Sequence, residues 1–472
     1  MKPPRTELVR GLKLADAISL VAGSIIGTGI FLKSAVMAEL LGSPGQVLLA
    51  WIAAGLLSLA GALSYAELGG LLPQAGGEYV YLRAAYGDAT AFLYGWMRFV
   101  AGLSGSIAAL AAGFAVFFTA LFHLDTPWVT HTIQLFGSEF KWQFGWAQVI
   151  AVLLIIIFSA INCAGIVLGG RVQTLLTGST ILSLILISAG IFLFAPGVSW
   201  AGLPPEQRTS GLSLPQAFGA AMIAALWAYD GWNNMPMSAG EIERPERNVP
   251  RALVYGMAIV LTLYLLINLA CFHALPMTEI VTANASLPIA SKAVSTFMGT
   301  SGNMLVSVII LLAITGALNG TILTGARVPY AMARDGLFPL KIAELHAGTR
   351  APVQAILWQA GWACTLALLG TFDQLTDYAV FAMWLFYILT TLAVFVLRRR
   401  RPDATRPYRT LAYPLTPLVF ILVGVWLLIN TLLVRPLESG IGLTLIGCGL
   451  PVYFYFRARR ADGAQEASLT FD

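Results

Sequence analysis

The sequence predicts an all-α polytopic membrane protein with about 12 transmembrane helices, of which helices 1 and 6 are discontinuous. Soluble globular classes are excluded by the composition, because 58% of the 472 residues are hydrophobic and only 11% are charged, with a mean hydropathy of +0.78. Apolar runs of about 20 residues, the length that crosses a bilayer as a helix, recur along the chain. Glycine or aspartate interrupts two of these runs near their middles.

The apolar runs divide the chain into two sets of five helices, followed by two more. Twelve spans are predicted near residues 14–41, 45–71, 88–122, 145–163, 172–195, 213–240, 250–273, 302–333, 353–370, 375–397, 412–433 and 440–457. We expect a cytoplasmic segment at 1–13, a first repeat at 14–195, a second at 213–397, two additional helices at 412–457 and a cytoplasmic tail at 458–472. The first run is too long for a cleavable signal peptide.

Lysine and arginine predict the orientation of the chain. If the N-terminus is cytoplasmic, 22 of the 28 lysines and arginines fall on the inner side, whereas five fall on the outer side and Arg98 lies within a span. The positive-inside rule therefore places both termini in the cytoplasm, and we expect a multi-pass protein of the cell inner membrane. These lysines and arginines on the inner side face membrane lipid and account for the net charge of +5. The charge therefore implies no nucleic-acid partner.

Cysteine and histidine give no sign of a metal or a cofactor. The four cysteines lie within or at the edges of apolar runs, and the four histidines are scattered near loops without the spacing of metal ligands. An intramembrane enzyme would need a nucleophile and a base inside the spans, and we identify no such pair. A channel would require rings of filter residues from several subunits.

The first span contains three glycines within seven residues, in the stretch Gly23-Ser24-Ile25-Ile26-Gly27-Thr28-Gly29. Each glycine lowers helix propensity by roughly 1 kcal/mol relative to alanine. Lipid cannot hydrogen-bond to backbone groups, so an unwound segment at this depth must be buried in protein or line a wet cavity. Its freed N–H groups form a site for a carboxylate. On spacing alone, a close helix-packing surface through Gly23 and Gly27 is an equally good interpretation.

The sixth span repeats the interruption in the stretch Trp227-Ala228-Tyr229-Asp230-Gly231. A carboxylate such as Asp230 costs about 3 kcal/mol in lipid unless it faces water or a partner. Interrupted helices at matching positions in two halves are typical of transporters built from inverted repeats, which bind their substrate near the middle of the membrane. This match favours a binding role for the glycines of the first span.

Two other spans carry unusual polar stretches. The fifth has a hydroxyl-rich face that includes Thr177 and Thr180, and the eighth contains Asn319 among small residues. Such hydroxyls often bond back to their own helix. A dense cluster facing an unwound helix could instead ligate a cation or complete a polar network.

These motifs resemble the amino acid–polyamine–organocation superfamily, and within it the L-type amino acid transporter branch, which includes bacterial serine/threonine exchangers. Gly23 to Phe31 resembles the signature G-x-I-I-G-[ST]-G-I-F of the first helix. Trp227 to Asn233, followed by Pro245 to Pro250, resembles the sixth helix and the loop after it. The resemblance covers spans one to ten and implies the LeuT-type five-plus-five inverted repeat.

The resemblance implies a substrate site at the two interruptions. In this family the backbone of the first helix holds the substrate carboxylate, and carbonyl groups of the sixth helix take the amino group beneath an aromatic gate. Carried onto this sequence, the gate is Trp227 and the substrate-binding residues are Ser24, Ile25, Ile26, Gly27, Thr28, Gly29, Trp227, Ala228 and Asp230.

Many bacterial relatives carry on the fifth helix a lysine that replaces a sodium ion. Thr180 aligns with that lysine, which leaves open whether a cation, a water molecule or nothing fills the position. Thr180, Asp230 and Asn319 are therefore predicted as coupling residues or members of a polar network.

The implied function is secondary transport of α-amino acids by alternating access. Exchange of neutral L-amino acids is the favoured mode, and proton- or sodium-coupled symport is the alternative. Asp230 matches relatives that also accept cationic amino acids, so its carboxylate could bind a basic side chain or merely be held by its neighbours. The loop after the third span lacks the cysteine through which animal relatives bond a heavy subunit. We therefore expect a monomer or homodimer without such a partner.

Overall fold

The computed structural model describes residues 7–135, 138–204, 211–284, 287–369, 372–434 and 436–469. In the N-terminal part of the chain, the helices are α1 Leu14–Ile25, α2 Gly29–Leu41, α3 Pro44–Leu71, α4 Glu78–Tyr86, α5 Asp88–Met97, α6 Leu103–Leu121, α7 Trp146–Cys163 and α8 Ile166–Phe194. In the C-terminal part, they are α9 Leu214–Ala228, α10 Pro245–Ala274, α11 Met277–Ile280, α12 Ile289–Met298, α13 Thr300–Gly325, α14 Arg327–Arg334, α15 Val353–Leu369, α16 Phe372–Arg400, α17 Leu415–Val434, α18 Pro436–Gly447 and α19 Gly449–Leu469.

Within these residues, nine helical stretches are long and apolar enough to cross a membrane, and the number is ten if the bent pair of α1 and α2 forms one span. Helices α9 and α15 are apolar but shorter. The chain is therefore a multi-pass membrane protein. The count of twelve spans and the division into two inverted sets of five remain predictions.

The first predicted interruption is present. Helix α1 ends where the Ile26 N–H donates its hydrogen bond to the Ala22 carbonyl oxygen, at 2.9 Å, and Ile26 itself has an extended backbone. Helix α2 resumes at Gly29, and the axes of the two helices differ by 42°. Between the two helices, the N–H groups of Gly27 and Thr28 have no backbone acceptor among the described residues.

The sixth span is also discontinuous, and it differs from the single stretch 213–240 that the apolar pattern suggests. Helix α9 ends at Ala228, a turn follows, and a short 3₁₀ helix runs over Met235–Glu241. Gly231 has a φ of +118°, a backbone conformation that glycine adopts at little cost because it has no Cβ. The aspartate and glycine of the motif therefore mark the end of the helix.

Two local features were not predicted. A π-helical turn at Arg98–Gly102 joins α5 to α6. The loop after α6 forms an antiparallel hairpin of β1 Val129–Leu135 and β2 Ser138–Phe144. Because its strands lie outside the apolar runs, the periodicity that identifies spans gives no signal for them.

The two broken helices lie at the centre of the bundle. Helix α10 packs against α1 and α3, α2 packs against α9, and α1 and α13 both pack against α8. The chain just before α1 is tied to the sixth span, since the N–H groups of Gly11 and Leu12 both donate to the Glu241 carbonyl oxygen, at 3.0 Å. This packing brings the interruption of the first span against that of the sixth.

Candidate functional site

Two glycines allow the helix interruptions to touch. A Cβ atom on Gly231 would lie 2.5 Å from the carbonyl oxygen of Ser24, at the end of α1. A Cβ atom on Gly29 would lie 2.7 Å from the Cβ of Ala228, the last residue of α9. Since real Cβ atoms do not approach other heavy atoms this closely, only glycine fits at either position. The sequence motif therefore encodes the contact between the two breaks.

The start of α2 presents unpaired N–H groups to this contact region. Among the described residues, the N–H groups of Gly27, Thr28, Gly29 and Ile30 have no backbone acceptor. Ile25 and Ile26 are buried, whereas Thr28 is partly exposed. Unpaired donors at the positive end of a 13-residue helix form an anion-binding site.

Tyr264 joins the two interruptions through its hydroxyl group. This side chain on α10 is fully buried, and its hydroxyl oxygen lies 3.1 Å from the carbonyl oxygen of Ile25 and 3.0 Å from that of Ala228. Trp51 packs edge-on against its ring, at 5.3 Å between centroids. The single hydroxyl proton can be donated to one of these two carbonyl oxygens at a time, so each carbonyl keeps at least one lone pair for another donor.

Tyr264 was not predicted from the sequence. A tyrosine in an apolar run is usually an ordinary core residue, and no local motif marks this one. Only the fold shows that its hydroxyl group reaches both breaks.

Trp227, the predicted gate, lies beside the contact between the two breaks. Its indole ring passes Gly29, where a Cβ atom would be 3.5 Å from the Trp227 Cζ3 atom, and 41% of the residue surface is exposed. The ring is thus partly exposed next to the contact between the two breaks. An aromatic side chain in this position can cover a small molecule held between the breaks.

Asp230 points to a polar cluster on the other side of the turn. The Tyr387 hydroxyl donates to its Oδ1 atom at 2.9 Å, and the charge of the buried Arg98 acts on the same carboxylate. Arg98 in turn donates from Nη2 to the Asn234 Oδ1 atom at 2.7 Å. The Asp230 carboxylate is therefore held by neighbours, within a residue that as a whole is partly exposed.

Asn319 belongs to a chain of buried amides. Asn162 donates to the Asn319 Oδ1 atom at 2.9 Å, and Asn319 donates to the Gln173 Oε1 atom at 2.8 Å. The Gln173 amide nitrogen lies 3.3 Å from the Ser19 carbonyl oxygen and 3.1 Å from the Thr177 hydroxyl group. These bonds connect α7, α13 and α8 to α1.

Thr180 lies beside this chain of amides without joining it. Its hydroxyl group donates back to the Leu176 carbonyl oxygen of its own helix, at 2.9 Å. The gap that Thr180 lines with Gly23, Ile26 and Thr177 is too narrow to admit a water molecule. Asn319 thus belongs to the chain of amides and Asp230 to a separate polar cluster, whereas Thr180 bonds within its own helix.

The two alternatives for the glycines of the first span apply to different residues. A Cβ atom on Gly23 would lie 2.2 Å from both the Gln173 amide nitrogen and the Thr177 hydroxyl oxygen, so Gly23 is a close-packing position. A Cβ atom on Gly27 would meet nothing nearer than 3.8 Å. Packing therefore does not require a glycine at 27, where the helix is broken.

Broken helices that meet inside an apolar bundle, with free N–H groups facing carbonyl groups, are the features of a membrane transporter and not of an enzyme. The chain belongs to the amino acid permease family, which it matches over residues 12–446.

Relatives in this family cover nearly the whole chain. The serine/threonine exchanger SteT of Bacillus subtilis is 33% identical over 96% of this chain and 98% of its own. The human b(0,+)-type amino acid transporter 1 is 29% identical over 99% of this chain and 92% of its own. The human large neutral amino acids transporter small subunit 2 is 29% identical over 95% of this chain and 80% of its own. Because SteT is an exchanger, this similarity supports exchange over the symport alternative.

Proposed function

We propose that this protein exchanges neutral L-amino acids across the cell inner membrane by alternating access. The observation that carries the proposal is the row of unpaired N–H groups at the start of α2, from Gly27 to Ile30. These donors lie beside carbonyl groups at the ends of α1 and α9. Donors next to acceptors match the two charged groups that every α-amino acid shares.

The substrate carboxylate binds at the start of α2. Its negative charge is stabilised by the N–H groups of Gly27, Thr28 and Gly29 and by the helix dipole. Ser24, Ile25 and Ile26 form the wall of the site at the end of α1, where all three are buried. Because these contacts involve only backbone, they do not depend on the substrate side chain.

The substrate ammonium group binds on the side of the sixth span. The carbonyl oxygens at the end of α9, including those of Trp227 and Ala228, accept its hydrogen bonds. The Trp227 ring covers the bound amino acid. Asp230 lies beyond the turn and sets whether a basic side chain is also accepted, since a carboxylate there attracts a cation.

Exchange needs no ion to drive the cycle, and the surroundings of Thr180 support this mode. The Thr180 hydroxyl group is used within its own helix, and the adjacent gap is too narrow for a water molecule. The chain of amides from Asn162 to Gln173 holds α1 against α8 and α13 through side-chain hydrogen bonds. We infer that this network holds α1 against α8 and α13 in place of a bound cation.

The same proposal covers orientation and assembly. With both termini in the cytoplasm, the arginine-rich loops face the inner leaflet. We propose a monomer or homodimer without a disulfide-linked heavy subunit.

Counterflow in liposomes tests the proposed function. Proteoliposomes loaded with unlabelled serine, alanine or leucine should accumulate the labelled amino acid from outside, and empty proteoliposomes should not. A sodium or proton gradient should leave this accumulation unchanged. Uptake that needs a gradient and no internal amino acid would establish symport instead.

A matched pair of variants tests the site itself. Gly27→Leu should reduce counterflow to the level of protein-free liposomes, because the side chain occupies the carboxylate position. Gly178→Leu is the control, since Gly178 lies on α8 with no atom within 4 Å of a Cβ atom built there. Equal activity of the two variants would place the site elsewhere.

A further inference from the structure

Lys33 lies against the proposed gate. Its Nζ atom is 4.4 Å from the centroid of the Trp227 ring. Lys33 belongs to α2, the helix whose first residues carry the unpaired N–H groups, and Trp227 belongs to the last turn of α9. In the sequence, Lys33 is one of the five lysines and arginines predicted to lie on the outer side.

The geometry of α2 explains the contact. Gly29 and Lys33 are four residues apart and therefore lie on the same face of the helix. The Trp227 ring passes over Gly29 because no side chain stands there, and it ends beneath the Lys33 ammonium group. An ammonium group at this distance from an indole face forms a cation–π contact. The ring is thus held between a glycine and a cation.

We propose that Lys33 determines the charge selectivity of the substrate path by holding a positive charge on the gate residue itself. The inference rests on the proposed function, because it takes Trp227 as the cover of an amino acid site. A cationic amino acid that approaches the gate meets a like charge, whereas a neutral zwitterion does not. The charge of Lys33 therefore disfavours cationic substrates, whereas Asp230, on the other side of the turn, attracts basic side chains.

Three variants test the inference in the counterflow assay. The measured quantity is the ratio of lysine uptake to serine uptake at equal external concentrations. Lys33→Met should raise this ratio about two- to fivefold, the factor expected from one partly exposed charge or cation–π contact. Lys33→Arg should keep the wild-type ratio, because arginine retains the charge and also stacks on indole. Lys292→Met on α12 is the control, as Lys292 is another lysine of the same predicted side and is bonded to the Glu279 carbonyl group at 2.9 Å.

Ionic strength separates a charge effect from a structural one. Raising the salt from about 20 mM to about 500 mM shortens the screening length several-fold, so the wild-type ratio should move towards that of Lys33→Met. The ratio in Lys33→Met should not rise, because only the attraction of basic side chains by Asp230 is then left to be screened. If Lys33→Met is not recovered in the membrane, Lys33→Gln replaces it.

The inference is overturned if Lys33→Met leaves the ratio at the wild-type value, if Lys33→Arg behaves like Lys33→Met, or if Lys292→Met has the same effect. Failure of the proposed function gives a different result. In that case wild-type proteoliposomes show no serine counterflow at all.

Discussion

At the scale of single residues, one hydroxyl group connects the two helix interruptions. The Tyr264 hydroxyl group lies between the carbonyl oxygens of Ile25 and Ala228, so it holds the end of α1 at a fixed distance from the end of α9. The ring itself is fixed by edge-on contacts with Trp51. Tyr264 therefore keeps the carbonyl groups of the site in place without contributing a charge.

Removing that hydroxyl group should loosen the site. In Tyr264→Phe, a buried carbonyl group loses its donor, which costs about 1–3 kcal/mol, while the aromatic packing remains. We expect a lower unfolding temperature and a several-fold higher half-saturation concentration for serine counterflow. The control is Tyr229→Phe, because the Tyr229 hydroxyl group has no hydrogen-bond partner within the described residues. Equal losses of stability and affinity in both variants would show that the hydrogen bond from Tyr264 to the carbonyl groups does not cause the effect.

At the same scale, the sequence predicts backbone sites better than side-chain contacts. Glycine and aspartate in the middle of an apolar run have a direct physical meaning, so the breaks at Gly27 and Gly231 could be placed from composition alone. Tyr264 and Lys33 could not, because each becomes informative only through residues that are distant in the chain. Asn319 is intermediate, since a buried amide predicts a polar partner but does not identify Asn162 or Gln173.

Among the elements, the apolar helices were predicted in position, and their ends were less accurate. Helix α8 begins at Ile166 rather than at residue 172, and α10 begins at Pro245 rather than at residue 250. The first residues of α10 are polar, and hydropathy does not detect them. In α8 the apolar first turn is followed by Gly169, Gly170 and Arg171, which separate it from the main apolar run. The hairpin of β1 and β2 was missed because an isolated hairpin has no apolar span.

A buried ion pair links elements at the end of the bundle where the chain enters α1. The Arg327 Nε and Glu241 Oε2 atoms are 2.6 Å apart, and each side chain is only 1% exposed. A second bond joins Arg327 Nη2 to Glu241 Oε1 at 2.9 Å. Since the Glu241 carbonyl oxygen also accepts from Gly11 and Leu12, this pair fixes the start of α14, the end of the sixth span and the N-terminal segment together.

Breaking this pair on one side should be costly. Arg327→Met leaves a carboxylate buried without its partner, for which about 3–5 kcal/mol of destabilisation is typical. The double variant Arg327→Met with Glu241→Leu should recover much of that loss, because two apolar side chains pack without an unpaired charge. Thermal unfolding of the purified protein in detergent measures both effects.

The matched control for the buried pair is the exposed pair of Arg460 and Asp88, at 3.1 Å. Arg460→Met should cost no more than about 1 kcal/mol, because exposed pairs contribute little. Comparable destabilisation by Arg327→Met and Arg460→Met would contradict a linking role for the buried pair.

Across the whole molecule, charge and packing distinguish the two ends of the bundle. The end that holds the buried Arg327 and Glu241 pair is also the end with the arginine run at 398–401. Trp227, in the last turn of α9, is 41% exposed. The positive-inside rule predicts that the arginine-rich end faces the cytoplasm.

This orientation predicts which loops a reagent outside the cell can reach. In a background without the four native cysteines, Ser301→Cys lies in the exposed first turn of α13, and Asp403→Cys lies in the exposed loop between α16 and α17. A membrane-impermeant maleimide should label Ser301→Cys in intact bacterial cells and label Asp403→Cys only after lysis. Lysed cells provide the control, since both variants must react there. Labelling of Asp403→Cys in intact cells would show that the topology is the reverse of the predicted one. The Trp227 side of the site would then face the cytoplasm.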